Sequence, residues 1–497
     1  MTRKDRVRFI VGLVLTLAIV GPLGWMWWDS RLPASYSAMD MGEMDYGGGP
    51  GGTSLGEHDD MESMAHGTST SVVDLGTTTE RKPDVVVNLT ARQGKVRIAS
   101  GKTVEGYSLN DRSPGPLIEA TVGELVEVRL RNESVKGGVA LHWHGVDVPN
   151  AEDGVAGVTQ DAVHVGDEYT YRWIAPDAGS YWYHSHQLSN AQVTGGLFGG
   201  IIVHPKQRES AVADVFALSH LYDGVPTLDG QTGSRHVMAR AGQRVRVRLV
   251  NTDNGQLNAW SGTPFLVRAI DGVDVRGPTE VSDRSVVIPA GGRADLELRV
   301  PTDGTAVRVA MTGDVSLTIG PAGSKAASVK QPKGEVDLLD YGSSGDLGFD
   351  ASRPDRKFEY SVGRRPGFLN GKPGLWWSVN GKLYKDMPMF MVREGDVVQV
   401  RISNHSGQSH PMHLHGHHAV VLSRNGVRAT GSPWWFDSLE VESGDSYDIA
   451  FVADNPGVWM DHCHNLKHAT EGLVTHLMYE GVTTPYRLGS ATGNTPE

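Results

Sequence analysis

Ten of the 20 histidines in this 497-residue chain fall in four short clusters. They are His142-Trp143-His144, His184-Ser185-His186, the run from His410 through His413 to His415, and the run from His462 through His464 to His468. Neutral imidazole is the commonest metal ligand among side chains. Each cluster contains a His-x-His pair, and on a strand residues i and i+2 project from the same face. The pairs 142/144, 184/186, 413/415 and 462/464 can therefore each aim two rings at one point. Scattered histidines would read as surface or core residues, but four such pairs point to bound metal.

The last cluster also holds Cys463, the only cysteine in the chain. By the same rule, His462 and His464 face one way and Cys463 faces the other. The thiol must then serve a second site, back to back with the first. His410 and His468 remain once the pairs are assigned. Two imidazoles and a thiolate make the trigonal arrangement of a blue-copper site, whereas structural zinc takes four ligands, typically several of them cysteines. The two sites share a backbone, so electrons could pass from the Cys463 side out through His462 and His464.

The elements that must position these residues are strands. Residues 123–132 read GELVEVRLRN, residues 242–251 GQRVRVRLVN and residues 395–404 GDVVQVRISN. Each is a glycine, an alternating apolar–polar run and a closing asparagine, the pattern of a half-buried strand ended by a turn. The chain is rich in glycine, with 62, and proline, with 25, and shows few long helical patterns. Three copies predict an all-β protein of three related β-sandwich domains, at 84–206, 210–322 and 358–482. Residues 323–357 read as a linker and 483–497 as a tail. The asparagine is followed by histidines in the outer copies but by TDNGQLNAWSG in the middle one, which is therefore expected to be structural and free of metal.

A net charge of −12 with no strongly basic domain argues against nucleic acid as a partner. Arg3, Lys4, Arg6 and Arg8 precede an apolar run from Phe9 to Trp28. That is about the ~20 residues needed to cross a bilayer, and Trp25, Trp27 and Trp28 lie where an interfacial aromatic belt would sit. Residues 1–28 thus read as a membrane anchor or a signal segment, with the bulk of the chain extracytoplasmic, either anchored or secreted. Residues 29–83 are expected to be a disordered spacer. Its Met39, Met41, Met44, His58, Met61, Met64 and His66 are either solvated or a weak collector of cuprous ion, since soft ligands select that ion.

Taken together, the four clusters, with ADNPGVWMDHCH at 453–464 and PGPLIEATVGE at 114–124, resemble the signature of the multicopper oxidases over roughly residues 85–482. The resemblance implies three cupredoxin-like Greek-key β-sandwiches and copper as cofactor: one type 1, one type 2 and a type 3 pair. It implies type 1 ligands His410, Cys463 and His468, with non-coordinating Leu473 at the axial position, which should raise the copper potential. It implies type 2 ligands His142 and His413, and type 3 ligands His144, His184, His186, His415, His462 and His464. The implied reaction is one-electron oxidation of a donor coupled to four-electron reduction of dioxygen to water, in a cluster between the first and third domains. Asp153 sits where the family keeps an acid near the type 2 copper and is expected to donate protons. Where several bacterial members carry a glutamate after the last type 1 histidine, this chain has Ala469, and Glu471 is a possible substitute.

The donor is expected to be a phenol or aromatic amine, favoured by Leu473, or Cu(I), favoured by the Met/His-rich spacer. The alternative class is a copper-binding electron-transfer or storage protein without oxidase activity, which would not need eight paired histidines. A nitrite reductase is disfavoured on the same ground. Trp434, Trp435, Phe436 and Asp437 either shape the mouth of the donor site or pack a sandwich corner. His417 and His418 read as residues that orient ligands or lie at the surface. The chain is expected to act as a monomer.

Overall fold

The computed structural model describes residues 2–48, 69–98, 101–207 and 212–497. Strands dominate and helices are few, in cupredoxin-like sandwiches. The three repeated segments form strands Leu125–Asn132, Arg244–Asn251 and Val397–Asn404. Each runs parallel to a long preceding strand and antiparallel to a later one. The partners are Val85–Arg97 and Glu168–Ile174, Val212–Tyr222 and Arg293–Arg299, and Arg356–Leu369 and Ser446–Val452. The leading glycines Gly123, Gly242 and Gly395 all have φ between +75° and +88°, a conformation that a side chain would strain.

The closing asparagines are buried and serve one purpose. Asn132 Nδ2 donates to the carbonyls of Val135 and Val163, Asn251 Nδ2 to those of Gly255, Ile288 and Pro289, and Asn404 Nδ2 to those of Gln408 and Val441. Buried carbonyls at a strand end need a donor in place of water, and one amide provides it each time. The alternating apolar positions of these strands fill three cores, built for example on Val128 and Leu130, Val247 and Leu249, and Val398 and Ile402.

Two segments depart from expectation. Within the stretch expected to be a disordered spacer, Met44–Asp45 adds a parallel strand to Met389–Val392, and Thr70–Ser71 pairs with Val482–Thr483. Met41 is buried, and Met39 and Met44 pack against the same core. These methionines are packing residues of the third sandwich, whereas His58, Met61, Met64 and His66 lie outside the described residues. The tail also docks: Leu488 is buried and exchanges backbone hydrogen bonds with Tyr36. Neither segment has a periodicity of its own, because each adds a short edge to a core that other strands supply.

The helix Arg3–Asp29 is long and apolar enough to cross a membrane, and none of its residues is buried against the body.

Candidate metal centre

Strand His410–Leu414 lies between Ser438–Val441 and Val458–Cys463. Its register sets Met412 opposite Cys463 and His413 opposite His462. Alternation then divides the chemistry: His410 shares the face of Cys463, and His413 and His462 share the opposite one. The short helix Leu466–Thr470 brings His468 back to the thiol, and the Cys463 N–H donates to the Leu473 carbonyl at 3.1 Å.

Cys463 Sγ stands 3.5 Å from His410 Nδ1 and 3.7 Å from His468 Nδ1, and those nitrogens are 3.2 Å apart. His410 Nε2 is engaged with Ser406 Oγ at 2.8 Å, which turns Nδ1 inward. Burial pushes His410 down to about 3, helped by the neighbouring His468, and His468 down to about 4, so both rings are neutral. Burial pushes the Cys463 thiol up; a coordinated cation reverses that by deprotonating it. Leu473 beside this trio is fully buried.

On the other face, the eight paired histidines meet across the contact between the first and third sandwiches, all at least 98% buried. His142 and His413 bring Nε2 atoms to 3.4 Å. His144, His184 and His464 form one trio and His186, His415 and His462 another, with ligand atoms within 4.8 Å of one another. Burial, reinforced by neighbouring imidazoles, holds His144, His184, His186, His413, His415 and His464 well below the ordinary range, and His462 near 3. Nitrogens of His144, His184, His186 and His464 have no hydrogen-bond partner. Buried polar atoms are otherwise almost always satisfied, so neutral rings with inward lone pairs fit cations of the imidazole-binding kind.

Carboxylates fix the rings from behind. Asp153, 1% exposed, reaches His142 Nδ1 at 3.0 Å and His415 Nδ1 at 3.1 Å. Accepting from both Nδ1–H groups leaves both Nε2 atoms free, as outer partners of metal ligands do. Asp437 meets His144 Nε2 at 3.1 Å and takes both ends of the Arg293 guanidinium at 2.5 Å. Burial alone would raise its carboxyl, but Arg293 holds it well below the usual range. Arg293 belongs to the middle sandwich and also donates through Nε to the Ser180 carbonyl of the first. Gly291 of the middle sandwich, at φ +81°, touches the cluster too: a Cβ there would stand 2.7 Å from His144.

Asp437 supports the histidine nest, and Trp434 packs between the middle and third cores. His417 bonds Tyr479 Oη at 2.8 Å and His418 bonds Asp147 at 3.1 Å, so both act behind the ligands. Glu471 lies on the Cys463 side, its Oε2 accepting from Trp377 Nε1–H at 2.9 Å, and so does not replace the acid missing at Ala469. Sequence reasoning missed Arg293, a strand residue with no motif, and Glu497. The buried Glu497 Oε1 stands 3.5 Å from His462 Nδ1 and 3.9 Å from His186 Nε2, and burial pushes its carboxyl up to about 8.

A thiolate–imidazole site set against eight converging rings on an all-β frame defines a copper protein that moves single electrons. Comparisons with known proteins agree. The family profile described as multicopper oxidase matches residues 90–208, and a second so described matches 353–481. The chain is 27% identical over 461 residues to the multicopper oxidase MmcO of Mycobacterium tuberculosis, covering 80% of this chain and 87% of the relative. It is 25% identical over 445 residues to Laccase-1 of Botryotinia fuckeliana, covering 76% and 78%. The crystal structure of a multi-copper oxidase from Pseudomonas thermotolerans matches with a TM-score of 0.65 at 23% identity, covering 80% of this chain and 99% of that one. At that identity it speaks for the fold alone. The chain belongs to the multicopper oxidase family. It is an oxidoreductase with copper cofactors that couples oxidation of a reducing substrate to reduction of dioxygen.

Proposed function

We propose that His410, Cys463 and His468 would hold the type 1 copper, with the buried hydrocarbon of Leu473 next to this trio. His142 and His413 hold the type 2 copper. His144, His184 and His464 hold one type 3 copper, and His186, His415 and His462 the other. The observation that carries this reading is the convergence of eight buried rings, four of them with partnerless nitrogens, opposite a single thiol. An electron-transfer or storage protein has no use for the second face.

Copper, when bound, would supply one-electron redox chemistry at these sites. The chain's own residues do the rest. The backbone from Cys463 to His462 and His464 joins the two faces. Asp153 holds the tautomers of His142 and His415 and is the proton source on the first-domain side. Glu497 is the source on the tail side, where Ala469 leaves none. Its Oε2 is tied to Ser189 Oγ while Oε1 points at the rings. Glu497→Gln should slow turnover roughly 10²-fold with copper content unchanged, measured by steady-state oxygen uptake and metal analysis.

The donor is an aromatic reductant. A cavity of about 550 Å³ lies against the loop carrying Ala469 and Glu471, beside His468. Tyr36, Trp376, Tyr384 and Leu369 supply aromatic and apolar walls, and Glu471 an acceptor for a hydroxyl. Among the described residues, that lining offers no methionine, histidine or cysteine, the soft ligands that cuprous ion prefers. The chain is extracytoplasmic and held to the membrane by the helix Arg3–Asp29, with its basic end inside. Oxygen uptake by the copper-loaded chain should be supported by a phenol far better than by Cu(I), and Glu471→Gln should raise the KM for the phenol. Faster uptake with Cu(I) would reverse the donor assignment. No uptake with either donor, at full copper occupancy, would sink the donor and ligand assignments together.

A further inference from the structure

The donor cavity does not open to bulk solvent alone. Leu32 and Pro33, three and four residues past the end of the apolar helix at Asp29, form part of its wall. Four of its residues, Leu32, Leu369, Asn370 and Tyr384, also line a second cavity of about 230 Å³, whose far side is Trp25, Met26 and Phe368. The two spaces therefore abut, and the second is walled by the helix itself.

The helix end is fastened to the body at this place. Gly371 N–H donates to Ser30 Oγ at 3.1 Å, Leu32 N–H to Asn370 Oδ1 at 3.3 Å, and Lys385 Nζ pairs with Asp29 at 3.2 Å. These bonds fix the hairpin of Arg356–Leu369 and Lys372–Val379 by its Asn370–Gly371 tip. With Arg3 to Arg8 at one interface, the run from Phe9 to Trp28, at 1.5 Å per residue, spans the ~30 Å of hydrocarbon. Trp25 to Trp28 then sit at the opposite interface, and the second cavity lies at headgroup level. The hairpin flank there carries exposed Leu375, with Arg364, Arg365 and Lys372 beside it, a mixture suited to an anionic lipid surface.

We infer that the physiological reductant is a lipophilic hydroquinone drawn from the bilayer, its ring passing the Trp25–Phe368 cavity to reach Glu471 while its alkyl chain stays in lipid. The inference rests on the aromatic-donor reading and narrows it. Each hydroquinone gives up two electrons, one at a time, through the His468 side, and two protons. The first proton goes to the Glu471 carboxylate and both leave to water, the product being the quinone. Two hydroquinones reduce one dioxygen to two waters, so electrons and protons balance.

The test uses the full copper-loaded chain in liposomes and two hydroquinones with the same ring, one unsubstituted and one bearing a decyl chain. The expected result is a kcat/KM at least tenfold higher for the decyl compound, with the ratio collapsing in Phe368→Asp. A second readout needs no copper. A decyl azidoquinone irradiated with the copper-free chain in nanodiscs should label residues 30–36 and 368–376. Labelling elsewhere, or a ratio that Phe368→Asp leaves unchanged, would overturn the membrane route. Oxidation of the soluble hydroquinone without the decyl one would do the same and leave the aromatic-donor reading standing. Oxidation of neither would remove both.

Discussion

The middle sandwich and the outer two end the same strand in the same way and then diverge. Asn132, Asn251 and Asn404 each donate to a carbonyl of the following turn. The outer turns lead into His142–His144 and His410–His415, while the middle one leads into a loop with no ligand. The fold therefore resides in the strand and its amide cap, and the chemistry in what the next few residues carry. Yet the middle sandwich is not a bystander. Arg293 and Gly291 reach the outer histidines through one carboxylate and one close backbone contact. A domain without ligands can still set where ligands stand.

The contrast between the two faces of the third sandwich breaks most sharply at Cys463. Cys463→Ser should remove the blue absorption and abolish turnover, because the sole thiolate is gone, while the eight-histidine face keeps its three ions. Copper counting by metal analysis beside the optical spectrum checks it; loss of all copper would show that the two faces do not load separately. Next in size is Arg293→Ala, in the domain whose described residues contribute to none of the ligand groups. It strands the Asp437 carboxylate among buried groups, which costs about 3–5 kcal/mol. It also frees His144 from its fixed partner, for roughly a 10–100-fold loss of activity or metal affinity. Denaturant unfolding and copper titration read the two effects. A variant with ordinary copper affinity would return the middle sandwich to a purely structural role.

The convergence of the histidine clusters was legible in the sequence because metal chemistry demands particular residue types at strand spacing, and His-x-His pairs satisfy both within three residues. The repeats were legible for a related reason: period-two alternation survives in any half-buried strand. What stayed hidden depends on contacts between distant segments. Arg293 is one of many arginines in alternating strands, and only the fold brings it to Asp437, 144 residues away. Glu497 lies in a tail without periodicity, and its approach to His462 follows from tail docking at Gln187, Leu188 and Ser189. Residues 34–48 escaped because their partners are core positions of the third sandwich, so no local pattern marks them.

The smallest effect separates the asparagine caps themselves. Replacing Asn251 or Asn404 with alanine leaves the buried carbonyl of Ile288 or Val441 without its donor, a loss of about 1–3 kcal/mol that should lower both melting temperatures alike. The spectra should differ. Asn404 Oδ1 accepts from the Ser406 N–H at 3.0 Å, and Ser406 Oγ is the partner of His410 Nε2. Loosening that turn lets the His410 ring rotate about its Nδ1 direction, so Asn404→Ala should shift the blue band and the potential of the thiolate site. Asn251 reaches the thiolate site only less directly, through Asn254 of its turn, whose Oδ1 accepts from the Leu466 N–H of the His468 helix, so Asn251→Ala should shift both less. Equal optical shifts in the two variants would mean that the caps act on the thiolate site through global softening, and the division of labour between strand cap and ligand loop would fail at its most local point.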